Sequence, residues 1–270
     1  MNRQTLKKII PSTLWQPASA AYWNWRNRGR HVWAQKVGGA WADNVRRLEG
    51  YRDIYRGKRC FVIGNGPSLR QMDLRPLQNH YTFGLNRIYL AFPAWGFTTT
   101  WLVSVNDLVL EQSAAEMQAL ALPKFLTWRA RSWFRADERA LFLDTDFTGA
   151  ENFSGDATKR LFEGFTVTYV ALQLAFFMGF EEIILIGVDH NFVTQGQPNQ
   201  AIVSQGDDPN HFAPNYFGAG FKWQLPDLAG SERAYTLARQ AYAQAGRRVL
   251  DATVGGKLTI FPKVDYCTVV

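Results

Sequence analysis

Cys60-Phe-Val-Ile-Gly-Asn-Gly-Pro-Ser-Leu69 is the stretch whose reading decides the fold. A short apolar run, Cys60 to Ile63, stops abruptly at Gly64-Asn65-Gly66-Pro67-Ser68. Four apolar residues closed by turn formers read as a buried parallel strand followed by a tight turn. Without a Cβ, Gly64 and Gly66 allow the backbone to take positive φ and a ligand to lie directly on it. Pro67 suits a first helical position, and Ser68 can accept from a free N–H. Strand, glycine turn and helix start together form the arrangement in which α/β proteins bind phosphate. The third glycine of the dinucleotide fingerprint is absent, since Leu69 stands in its place, and no Gly-Lys-Ser/Thr follows.

Working outward, other apolar runs end in polar residues in the same way. Tyr81-Thr-Phe-Gly-Leu-Asn86 reads as a second strand with Asn86 at its end, and Thr99 to Ser104 as a third, leading into Asn106 and Asp107. A helix is expected over 108–120 and a strand over Lys124-Phe-Leu-Thr127. Residues 129–160, rich in Arg, Asp, Gly and aromatics, read as an irregular insertion able to serve as a lid. Thr166 to Met178 reads as a buried helix ended by Gly179. Glu181 to Gly187 is then the next parallel strand, followed by Asp189-His190. Residues 193–210 read as a mobile loop, 231–245 as a helix, 247–250 as a strand and 258–264 as a closing apolar stretch. The pattern predicts a Rossmann-like α/β fold with a mostly parallel sheet and helices on both faces.

Composition sets the outer limits. The 270 residues are 47% hydrophobic and 20% charged, a globular balance with room for one large domain. Cys60 and Cys267 are too few for a disulfide or metal framework. No run approaches the roughly 20 apolar residues of a membrane span, and none after Lys7-Lys8 suits a signal peptide. The expected location is cytoplasmic, with peripheral attachment at the inner membrane surface as a further expectation. Residues 1–60 hold thirteen Lys/Arg against three acids, so their net +10 leaves −3 for the remainder of a +7 chain. The boundary is therefore drawn at 56: a helical, basic, Trp-rich segment over 1–56 and a nucleotide-binding transferase domain over 57–270. Basic residues interleaved with Trp15, Trp23, Trp25, Trp33 and Trp41 suit an anionic membrane surface or a partner. Packing on the main domain or in a homo-oligomer comes next, and nucleic acid last.

The strand ends converge on one crevice at the carboxyl edge of the sheet. The nucleotide-binding candidates are Gly64, Asn65, Gly66, Pro67, Ser68, Asn86, Ser104, Asn106 and Thr166. His211, His190 and Asp189 are the catalytic candidates, because imidazole titrates near neutrality and a carboxylate can hold a hydroxyl. Asp107 and Asp189 would hold Mg²⁺ only if the chemistry were pyrophosphate transfer. His31 and His80 read as structural or surface residues.

Phe61 to Leu69, Phe83-Gly-Leu-Asn86-Arg-Ile-Tyr89, Met178 to Ile183, Gly187 to Phe192 and Asp208-Pro-Asn-His211-Phe occur in an order that resembles a known family. It is the family named after archaeal 6-hydroxymethylpterin diphosphokinase, which is widespread in bacterial surface-glycan loci; the match runs over about 55–262. The same order is similar to bacterial sialyltransferases that use CMP-sialic acid on a metal-independent Rossmann-like fold. That similarity implies that Asn65, Gly66 and Asn86 hold the nucleotide, with Asn106, Thr166 and Asp189 lining the pocket. Where those enzymes carry the base His and a phosphate-binding Tyr, this chain has Asn215 and Asn191, so His211, one helical turn away, becomes the base candidate. The leading expectation is a glycosyltransferase taking a nucleotide-activated, CMP-linked sugar to a glycan or lipid-linked acceptor, with no cofactor. The alternatives are a Mg²⁺-dependent diphosphokinase using ATP and a non-catalytic nucleotide-binding partner.

Overall fold

Eight strands form one all-parallel sheet, and its strand order fixes where a ligand can sit. The computed structural model describes residues 39–148, 152–193 and 196–270, so most of the helical segment expected over 1–56 lies outside the described residues. The strands are β1 (Arg59–Ile63), β2 (Tyr81–Leu85), β3 (Trp101–Ser104), β4 (Lys124–Thr127) and β5 (Ala140–Asp146). They continue with β6 (Arg160–Phe162), β7 (Glu182–Ile186), β8 (Ala201–Val203), β9 (Lys222–Gln224) and β10 (Arg248–Asp251). Their order in the sheet is β10-β7-β1-β2-β3-β4-β5-β6. From β1 the chain winds outward to β6, then returns to the other side of β1 as β7. That reversal is the topological switch point of a doubly wound fold.

Both faces of the sheet are covered, which is why its strands read as apolar runs rather than alternating ones. Cys60 and Val62 point into one core with Phe83, Val103 and Leu185, while Phe61 and Ile63 point into the other with Leu102 and Ile186. The first face carries α4 (Val167–Phe177) and α5 (Leu228–Gln244). The second is covered by α2 (Phe92–Trp95), through Phe92, by α3 (Asp107–Ala119), through Val109, Leu110 and Met117, and by Tyr216, Phe217 and Trp223. Nearly every residue of α4 is buried, so its sequence is apolar all round and carries no amphipathic stripe.

The chain divides into two compact units, Met1–Arg46 and Arg47–Val270. Of the first, only Gly39–Arg46 is described, where α1 (Gly39–Glu49) begins. Leu48 belongs to the core of the second unit, and Tyr51 and Tyr55, half-buried, pack against it.

Two expectations are corrected. Residues 129–160 are not an irregular insertion: β5 lies within them, pairs in parallel with β4, and is followed by β6. The supposed loop over 193–210 contains β8, which pairs antiparallel with β9. The closing apolar stretch over 258–264 makes one isolated bridge, Asp251 to Lys263, and contributes Leu258 and Phe261 to the core.

Candidate active site

β1 and β7 lie side by side, and the turns that follow them are laced together. The Gly64 and Gly66 N–H groups donate to the carbonyls of Ile186 and Gly187, each at 2.8 Å. Ser68 N–H donates to Asp189 Oδ1 at 3.0 Å, and its hydroxyl to Oδ2 at 2.7 Å. This corrects the expected role of the glycines. Neither has positive φ, Gly66 being extended at φ −70 and ψ 159. They are glycines because β7 is so close: a Cβ on Gly66 would overlap the Asp189 carboxylate and stand 2.9 Å from Gly187 O. Three N–H groups expected to cradle phosphate are thus spent inside the protein. Burial pushes the Asp189 carboxyl above the usual range, against the lowering effect of the two bonds from Ser68.

The laced turns floor an open cleft of about 730 Å³, counting its mouth. Asn65 enters it with a side-chain oxygen that is buried and has no partner. A buried acceptor left unpaired is costly. Asn86 follows β2 in the left-handed region at φ 49, which a short polar side chain tolerates. Its Oδ1 accepts from the Ser104 hydroxyl at 3.0 Å, so Ser104, fully buried, fixes which way the amide points. The first turns of α4 and α5 also line the cleft, through Thr166, Val167 and Thr168 and through Asp227, Leu228 and Ser231. Thr166 and Asp227 are the N-caps of those helices.

Two imidazoles complete the lining, each paired with a carboxylate. His211 Nδ1 lies 2.7 Å from Asp208 Oδ2, and its ring stacks on Tyr216 at 4.1 Å and 8°. Asp208 is 6% exposed and also accepts from Asn210 N–H at 3.0 Å. The loop is tied to the first turn by Phe212 N–H donating to Asn65 O at 2.9 Å. From below, Arg87 N–H donates to the Tyr216 hydroxyl at 3.2 Å, and the Arg87 guanidinium to the Tyr216 carbonyl. A carboxylate on Nδ1 leaves Nε2 as the basic atom, the orientation a general base requires. His190, at φ 53, has Nε2 2.9 Å from Glu232 Oε1. Among the described residues the lining holds no Lys or Arg.

Of the residues singled out from sequence, Gly64, Asn65, Gly66, Asn86, Thr166, Asp189, His190 and His211 line this cleft. Pro67 and Ser68 lie behind it, at the start of the 3₁₀ turn Pro67–Gln71. Asn106 caps α3, accepting from Leu108 N–H and Val109 N–H at 3.0 and 3.3 Å. Asp107 faces Arg129, whose Nε is 3.1 Å from Oδ1. Asp107 is thus paired with a guanidinium, and Asp189 with the N–H and hydroxyl of Ser68. Among the described residues no group of three or more His, Cys, Asp or Glu is placed to hold a metal ion. Sequence reasoning missed Asp208, Glu232 and Phe165. The Asp-x-x-His spacing of 208–211 was a usable signal for the first, whereas Glu232 is 42 residues from its histidine.

No family model and no curated protein matches the chain, so the diphosphokinase-family resemblance gains no support from either comparison. Among solved structures it is similar to the MAf glycosyltransferase from Magnetospirillum magneticum AMB-1, with a TM-score of 0.50 and 13% identity over 84% of this chain. The match spans 39% of that protein. At this identity the similarity is one of fold, and it agrees with the doubly wound sheet. No helix among the described residues is long and apolar enough to cross a membrane.

Proposed function

We propose that this chain is a glycosyltransferase that takes a CMP-linked sugar and passes the sugar to a hydroxyl acceptor in surface-glycan assembly. The observation that carries this reading is the Asp208–His211 pair facing the cleft at the switch point. His211 Nε2 would accept the acceptor's hydroxyl proton as its oxygen bonds to the anomeric carbon. The bond from that carbon to the phosphate oxygen breaks, and CMP leaves with the electron pair. Asn65 and Asn86 would hold the nucleotide, and Asp189 would act through Ser68 by keeping the turn in place.

Charge favours CMP over a nucleoside diphosphate. The phosphodiester of a CMP-sugar carries one negative charge, whereas a diphosphate linkage carries two and is usually met by Arg, Lys or Mg²⁺. This lining offers two helix N-termini, which suit one anion. The similar fold of a glycosyltransferase supports the reaction class. The basic, Trp-rich residues 1–56 would keep the enzyme at a membrane surface near a lipid-linked acceptor.

A thermal-shift panel with CMP, CDP, UDP, GDP and ATP, each with Mg²⁺ or EDTA, tests the proposal. A ligand at 100 times its Kd adds about 2.7 kcal/mol, or a shift of roughly 5–10 °C for a chain of this size. CMP should give that shift with or without EDTA. Stabilisation by ATP alone, and only with Mg²⁺, would point instead to pyrophosphate transfer.

A further inference from the structure

Between β6 and α4 the chain makes a turn in which both Gly164 and Phe165 are left-handed, at φ 53 and 64. Glycine takes this conformation freely, but a bulky aromatic does not, because its Cβ crowds the following carbonyl. Such strain persists only where the surroundings over-determine the conformation, and it gathers at ligand sites. Here the amino-terminal side of the turn is pinned. Glu163 accepts from Arg129 at 2.8 Å and from the Thr145 hydroxyl at 2.7 Å. Gly164 is wedged so tightly that a Cβ on it would stand 2.7 Å from the Ala234 Cβ.

The ring of Phe165 is held from α5. A Cβ on Gly230 would lie 2.5 Å from Phe165 Cδ2, so α5 has a glycine where the ring presses on it. The Arg233 guanidinium carbon lies 6.0 Å from the ring centre. Yet Phe165 belongs to neither core cluster; it stays half-buried and lines the cleft. Core burial therefore does not account for a strained aromatic at this position.

We infer that Phe165 is the stacking platform for the nucleobase of the bound nucleotide. The inference rests on the reading of the cleft as a nucleotide site and adds the part of the ligand that Phe165 recognises. A base offers a flat π face, and an aromatic side chain fixed in orientation by a pinned turn meets it with little further loss of freedom.

The test is calorimetric titration of the full chain with CMP and with ribose 5-phosphate, which has the same phosphate and ribose but no base. Wild type is compared with Phe165→Leu, Phe165→Gly and Phe165→Trp. The Leu and Gly variants should bind CMP about tenfold or more weakly, while their affinity for ribose 5-phosphate stays within twofold. Phe165→Trp should retain CMP binding. Phe165→Gly, relieved of strain, should melt no lower than Phe165→Leu, so its lost affinity would not be a folding defect. Equal CMP affinity in all variants would overturn the inference and leave the nucleotide reading standing. Parallel losses for both ligands would assign Phe165 to the sugar-phosphate or to turn structure and would also overturn it. A wild type that binds neither CMP nor any other nucleotide would bring down both readings.

Discussion

At position 66 a single hydrogen in place of a methyl group lets the Asp189 carboxylate lie against the first turn and hold Ser68 by two bonds. Gly66→Ala should therefore cost about 3 kcal/mol, an overpacking loss that would drive the Asp189 carboxylate off Ser68 and crowd the Gly187 carbonyl, measured by urea unfolding. Asp189 also predicts a pH signature. Burial raises its folded-state pKa, so the native state keeps the proton to a higher pH than the unfolded chain. Its contribution to stability is complete below the unfolded value of about 3.9 and falls as pH rises through the folded value. Asp189→Asn removes that titration, so its stability deficit against wild type should shrink as pH is raised from about 4 and then level off. A deficit that grew over the same range would mean that the Ser68 bonds outweigh burial. For His211, Asp208→Asn keeps the stack on Tyr216 but removes the carboxylate from Nδ1. Transfer should fall about 10²–10⁴-fold while CMP affinity stays within twofold, which separates proton handling from binding. The sequence announced His211, Asp189 and the glycines by residue type and by position after apolar runs. It could not announce their partners, because Ser68 and Asp189 are 121 residues apart and meet only through the pairing of β1 with β7.

Elements whose apolar runs are continuous were legible, and those with mixed faces were not. β1 and β7 are buried on both faces and stand out in sequence, whereas β5 runs Ala140-Leu-Phe-Leu-Asp-Thr-Asp146 with alternate positions only half-buried. Its later polar residues serve a network under Arg129: the Thr145 carbonyl and hydroxyl accept from Nη1 at 3.1 and 2.9 Å. Polar content there therefore marks a buried hydrogen-bonded strand end, not a loop. The same distinction applies to Asn106, which looked like a ligand contact because it follows β3. Its side chain instead satisfies two free N–H groups at the start of α3. Asn106→Ala should cost about 1 kcal/mol of stability and leave CMP affinity unchanged, checked by denaturation and titration on the same protein. A tenfold loss of CMP affinity would restore Asn106 to the site.

Across the whole molecule, all eight sheet strands point their carboxyl ends to one edge, and strand order then selects the place on it. β1 and β7 are neighbours although more than 100 residues separate them, so neither order nor switch point could be read along the chain. The opposite edge is built for a different purpose: Glu182, at the start of β7, sits between Arg59 and Arg248 and closes it with paired charge. This polarity makes a prediction for hydrogen exchange with saturating CMP at short labelling times. Peptides covering 64–68, 187–192, 207–212 and the first turns of α4 and α5 should slow, because the ligand ties together loops from both halves of the sheet. Peptides covering 57–60, 180–183 and 246–249 should not change, because their fluctuations lie at the other ends of the same strands. Slowing confined to 64–68 would mean that the ligand meets only the first turn, and the cleft between β1 and β7 would not be its site. Slowing on both sides of the switch point, with a silent amino edge, follows if the reversal in strand order is what creates the site.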